Sequence, residues 1–143
     1  MPTLTLSNSS SKSYSRIHTI CINTNFNSGT TSFTGTDSLV EVASGKLKIT
    51  ASASSAGYAS RSFPTVIKTT YNFSMDFEDA STLSTIKFGT SANDDTNLNT
   101  TVSGSDPGYV TITGSFTATA ETTFITIFVG RPGGVSEWDN LLI

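Results

Sequence analysis

Three acidic side chains, Asp76, Glu78 and Asp79, stand close together in the sequence inside a stretch that alternates apolar and polar residues. In a strand, residues two apart project to the same side, so Asp76 and Glu78 share a face. Two carboxylates so placed are the equipment of glycoside hydrolysis, one as acid and one as base or nucleophile, provided a cleft surrounds them. Here the stretch runs straight into Ala80-Ser81-Thr82, and a solvated strand end accounts for it. His18, the single histidine, sits in an alternating segment with no nearby acid to orient it, which leaves a nucleophilic triad without its base–orienter pair. Cys21, the single cysteine, allows neither an internal disulfide nor zinc spacing, and no phosphate-binding loop is present. The chemistry-bearing residues therefore predict a non-enzymatic protein.

Binding chemistry is better represented. Sugars stack on exposed aromatic faces while polar groups hold their hydroxyls. Tyr58, Tyr109 and Trp138 border polar or turn residues and are candidate platforms, with Arg61 a candidate hydrogen-bonding partner for a ligand on Tyr58. Against this stands the need for bulk: most of the nine Phe and four Tyr must fill a core, because one small domain has few other large side chains. The loop Asn93-Asp94-Asp95-Thr96-Asn97 is rich in oxygen but lacks the spacing of a dedicated calcium loop, and reads as a solvated turn.

Composition narrows the partners. The 143 residues suit one domain. Ser and Thr supply about a third of the chain, and charged residues 13%, against roughly 25% in an average soluble domain. A net charge of −3 does not offer the basic face that a nucleic-acid backbone requires. No apolar run approaches the ~18 residues of a membrane helix. The opening Met1-Pro2-Thr3-Leu4-Thr5-Leu6-Ser7 has no basic segment followed by an apolar one, so the expectation is folding in a reducing cytosol without a secretory leader. Sequons at Asn8, Asn72 and Asn99 are what chance supplies in so Ser/Thr-rich a chain.

The elements that must position these residues are strands. Residues 1–16, low in complexity and weakly cationic, form an expected N-terminal arm in which Lys12, Tyr14 and Arg16 would meet a partner; alone such a segment cannot offset its chain entropy. Residues 17–143 form the expected domain. Period-two patterns occupy residues 17–22, 39–42, 46–50, 58–63, 70–77, 84–88, 109–116, 124–129 and 137–143, with 98–102 a candidate short strand and a turn-rich stretch from Asn23 to Asp37. Ala43-Ser44-Gly45 joins two of them as a hairpin, and Tyr71, Phe73, Met75 and Phe77 share one face. No window carries a 3.6-residue period. Eight or nine short strands separated by turns predict an all-β protein, a two-sheet antiparallel sandwich.

Two segments sharpen this. Asn23-Thr24-Asn25-Phe26-Asn27-Ser28-Gly29, followed by Phe33, resembles the N-x-x-F-E-x-G-x-x-x-W opening of carbohydrate-binding-module-like jelly rolls. Trp138-Asp139-Asn140-Leu141-Leu142-Ile143 is similar to their F-D-N-V-x-V last strand. Gly57-Tyr58-Ala59-Ser60-Arg61-Ser62-Phe63, Thr70-Tyr71-Asn72-Phe73-Ser74-Met75 and Gly114-Ser115-Phe116-Thr117-Ala118-Thr119 fall between them in the family's order, so the resemblance covers residues 20–143. It implies a jelly-roll β-sandwich with Trp138 in the core. It also implies a candidate structural calcium on Asp139 and on Asn27, which stands where the family has Glu and so removes one charge. Domains of this kind occur beside secreted glycoside hydrolases and in bacteriophage virions. With no enzyme attached, the expectation is a virion accessory protein assembled in the host cytoplasm: a capsid decoration (cement) protein or small tail appendage. It would bind other virion proteins, or further copies of itself, through its arm and sheet edges. The alternative is a carbohydrate-binding module or lectin for host-surface glycans. A solvent-facing aromatic near Tyr58 or Tyr109 favours the glycan reading; those aromatics buried, with the arm against a neighbour, favour assembly.

Overall fold

A computed structural model describes residues 22–27, 29–30, 32–80, 83–102 and 110–143. The predicted arm at residues 1–16, with Lys12, Tyr14 and Arg16, lies outside the described residues, as do His18, Cys21 and Tyr109. Strands account for all the regular structure described: β1 (Asn23–Thr24), β2 (Thr34–Thr36), β3 (Ser38–Ala43), β4 (Lys46–Ala51), β5 (Gly57–Pro64), β6 (Thr70–Ala80), β7 (Ser84–Gly89), β8 (Leu98–Val102), β9 (Val110–Thr117), β10 (Thr122–Val129) and β11 (Val135–Leu142).

They form two antiparallel sheets. One runs β3-β4-β11-β6-β9, with β1 added against β11; the other runs β2-β5-β10-β7-β8. Eleven strands among the described residues exceed the expected eight or nine. The surplus comes from β1 and β2, two and three residues long, inside a stretch that reads as turn. Their existence depends on partners: Asn23 and Thr24 pair with Leu142 and Leu141, and Thr34 and Thr36 pair with Ser60 and Tyr58. So short a segment carries no period of its own.

Local chemistry agrees with the architecture. Ala43 pairs with Lys46, leaving a two-residue loop in which Ser44 and Gly45 both have positive φ, 54° and 79°, the geometry of the primed hairpin turn that glycine favours at its second position. At the other extreme of the chain, the β11 register shifts between Asp139 and Leu142, where Asn140 takes φ 49°; this bulge lets Leu141 turn into the core beside Trp138.

The core lies between the sheets. Leu47, Ile49, Phe73, Met75, Phe77, Phe116 and Trp138 meet Ala59, Phe63, Ile86, Phe88, Ile125, Ile127 and Val129. Phe88 is the bridge: its ring stacks on Phe116 at 4.3 Å between centroids and tilts against Phe73 at 4.9 Å. Trp138 is fully buried and donates Nε1–H to Ser136 Oγ at 3.0 Å, so the expected core role holds. The opening motif closes one end, Phe26 and Phe33 both buried with centroids 6.1 Å apart.

Candidate functional site

In β5 and β10 the parity of the side chains decides what reaches solvent. Ile125, Ile127 and Val129 are fully buried, as is Ala59. Side chains alternate across a strand, so Tyr58, Ser60 and Ser62 on β5, and Phe124, Thr126 and Phe128 on β10, stand on the opposite, outer face. Register carries these positions across the whole five-stranded sheet. One row reads Thr36, Tyr58, Phe128, Thr85, Thr101; the next reads Thr34, Ser60, Thr126, Lys87, Asn99; a third brings Ser62, Phe124 and Gly89 together. Tyr58, Phe124 and Phe128 are each half-buried. The result is an aromatic strip set among hydroxyls.

The β7–β8 loop, residues 90–97, folds back over this face. Gly89 permits it: a Cβ there would stand 2.5 Å from the Asp94 carbonyl oxygen. Asn93, at φ 61°, donates its backbone N–H to Thr126 Oγ1 at 2.9 Å and accepts from Lys87 Nζ on Oδ1 at 2.9 Å. Thr126 is thereby fully buried although it belongs to the outer face. Lys87 Nζ also lies 5.0 Å from the Phe128 ring centroid. Asp94 organises the loop from within, accepting from the Thr96 hydroxyl at 2.6 Å, the Thr90 N–H at 2.7 Å, the Thr90 hydroxyl at 3.0 Å and the Thr96 N–H at 3.1 Å. The Thr96 hydroxyl foremost, then the Thr90 N–H, holds the Asp94 carboxyl well below the usual carboxylate range. The loop is solvent-exposed at most of its positions, as the solvated-turn reading expects, and its own hydrogen bonds hold it at the side of the aromatic strip.

Of the sequence-predicted binding residues, Tyr58 lies on this face, half-buried and facing out. Arg61 does not join it. Its register partner is the buried Ile125, three positions from Tyr58 and therefore on the other side of β5, a correction that period-two geometry makes unavoidable. Partial burial lowers the Arg61 pKa from its ordinary value. Phe124, Phe128, Lys87 and Asn93 are not among the predicted site residues. The signal for the two Phe was present in Phe124-Ile125-Thr126-Ile127-Phe128-Val129: both parities are apolar, and one of them must face away from the core.

Each calcium candidate has a contact of its own. Asp139 faces Asp76 across β11 and β6, and its Oδ1 accepts the Asn140 N–H at 2.8 Å. Asn27 turns its Oδ1 toward the Gly45 hairpin. Calcium takes six to eight oxygens, and among the described residues no three His, Cys, Asp or Glu side chains converge; the two candidates by themselves do not make that shell. Asp76 is engaged structurally, accepting from Thr111 Oγ1 at 2.6 Å and Asn140 Nδ2 at 2.8 Å. The Glu78 side chain lies outside the described residues.

No protein-family model and no curated protein matches the chain. Solved structures match its fold. CBM4 aligns with a TM-score of 0.64 at 15% identity over 82% of this chain and 94% of that one. A CBM29-2 mutant complexed with mannohexaose aligns at 0.62 and 15% identity, over 87% and 89%. A further family 29 carbohydrate-binding module mutant gives 0.61 and 16%, over 87% and 88%. At such identities the likeness establishes architecture: the chain has the jelly-roll fold of carbohydrate-binding modules.

Proposed function

We propose that the protein is a non-catalytic carbohydrate-binding domain that holds a glycan on the outer face of its five-stranded sheet. One observation carries the reading: Tyr58 and Phe128 are cross-strand partners, both facing out, in a row otherwise made of Thr36, Thr85 and Thr101. Rings of this kind accept the C–H face of a pyranose, and the flanking hydroxyls exchange hydrogen bonds with its equatorial oxygens. A half-exposed Tyr58 is the outcome that favours glycan recognition over assembly. The virion role anticipated from the sequence rests on an arm outside the described residues, and it is not carried further.

Titration with oligosaccharides, read by calorimetry, tests the proposal. Tyr58→Ala and Phe128→Ala are each expected to weaken binding about tenfold or more, the ~1.4 kcal/mol of a central aromatic contact. Thr113→Ala, on the opposite sheet's outer face, serves as the control. Equal affinity in all three variants would overturn the assignment of the face.

A further inference from the structure

The aromatic strip carries a single formal charge, and its sign indicates the class of glycan. Among the outward-facing residues of the three rows described above, Lys87 is the one ionised side chain. Its Nζ is held by Asn93 Oδ1 at 2.9 Å and by the Phe128 ring at 5.0 Å. No carboxylate of a described residue lies within the 4.0 Å of an ion pair from it. An ammonium has three donors; Asn93 uses one, and the neutral ring satisfies no other as a hydrogen bond.

The nearby acids are committed elsewhere. All four hydrogen bonds to Asp94 come from Thr90 and Thr96 of its own loop. Asp95 Oδ2 accepts from Asn99 Nδ2 at 2.9 Å. The cation therefore stands on the binding face without a direct ion pair to a described residue, although Asp94 and Asp95 keep their charges in the adjoining loop, and it stands there in one place. A lysine stem ordinarily loses considerable rotamer entropy on binding. Here the loop has already fixed it, through Asn93 held by its N–H on the buried Thr126, so a ligand anion meets a positioned donor. A glycan without charge makes no use of that ammonium beyond a neutral hydrogen bond, whereas a carboxylate or sulfate forms the stronger charge-assisted one.

We infer that the preferred ligand is an acidic saccharide, one bearing a carboxylate such as a uronate, whose ring stacks on Tyr58 while its anion binds Lys87. This rests on the carbohydrate-binding reading above and specifies its ligand class. The test compares a panel of uronate oligosaccharides with the same oligosaccharides after reduction of their carboxylates to primary alcohols, so that only the charge changes. At least one acidic oligomer is expected to bind about tenfold tighter than its reduced partner. That advantage should shrink several-fold on raising salt to about 1 M, where the Debye length falls to about 3 Å. Lys87→Gln should cost the acidic oligomer severalfold more affinity than it costs the reduced one, and Lys87→Arg should keep the preference. Thermal melting of both variants checks that they fold; if Lys87→Gln does not, the salt series and Lys87→Arg still decide. Reduced oligomers binding as tightly as acidic ones, with sensitivity to Tyr58→Ala, would overturn the acidic class and leave the glycan face standing. No binding by either set would overturn both.

Discussion

Gly89 and Asp94 are packed backbone to backbone, closely enough that one added methyl at Gly89 would lie 2.5 Å from the Asp94 carbonyl oxygen. This contact seats the 90–97 loop on the sheet. The obstacle is main chain, which cannot swing aside as a long side chain would. Gly89→Ala should therefore lift the loop, at a cost of about 1–3 kcal/mol typical of overpacking. Denaturant titration would show the loss of stability, and hydrogen exchange would locate it: faster exchange at the Asn93 amide, with the Ile125 and Ile127 amides unchanged relative to global unfolding. Protection of Asn93 equal to that of the parent protein would contradict the seating role.

The same loop is expected to contribute to the protein's acid sensitivity. Asp94 is held below its ordinary value of 3.8 by donors that favour its charged form. A carboxylate depressed in the folded state contributes stability at pH above the unfolded value, and that contribution is lost as pH falls from there through the folded value. Melting temperature should thus decline below about pH 4 for the parent chain. Asp94→Asn should melt lower at neutral pH and show a shallower acid limb. The group is close to solvent, so a shift of a few degrees is the expected scale. Parallel curves for the two proteins would remove Asp94 from the acid transition.

Asp139 and Asp76 face each other across β11 and β6, where like charges oppose one another, and Asn140 together with Thr111 supplies the donors that ease this. With those protein donors present, we expect calcium to add little to the stability of the bulge. Melting in calcium and in chelator should give midpoints within about 1 °C of each other, whereas a bound site at a hundredfold excess over its Kd would add about 2.7 kcal/mol and shift the midpoint by several degrees. A calcium-dependent rise abolished by Asp139→Asn would restore the metal.

Much of this architecture is readable from the chain because alternation is local. Tyr71, Phe73, Met75 and Phe77 declare β6 by their spacing, and Ser44-Gly45 declares the hairpin by its turn chemistry. The site is harder to read because a face is defined by register, which no single strand contains. Tyr58 gains its meaning only when β10 places Phe128 beside it, and Thr126 looks exposed until the loop covers it. Arg61 misleads through nearness in sequence, since three residues along a strand reverse the side. Asp94 and Lys87 are polar residues in a polar chain, and their roles come from partners two to six residues away that only the folded loop brings within reach.

The contrast between the two faces of the five-stranded sheet yields one more prediction, using a single residue type. Phe88 is fully buried and bridges the sheets through Phe73 and Phe116; Phe128 stands half-exposed on the outer face beside Tyr58. Phe88→Ala removes a ring from the core and should cost about 3–5 kcal/mol, a large part of the 5–15 kcal/mol that a domain commands. Any of this variant that folds should bind glycan normally under the proposed function, because the rings assigned to the ligand there are untouched. Phe128→Ala gives up a surface ring and one cation–π contact, worth ~0.5–1 kcal/mol at an exposed site, and should melt within a few degrees of the parent while losing affinity. Equilibrium denaturation and calorimetry on the two variants give four numbers. If Phe128→Ala unfolds the protein as Phe88→Ala does, Phe128 belongs to the core and the outer face loses its platform.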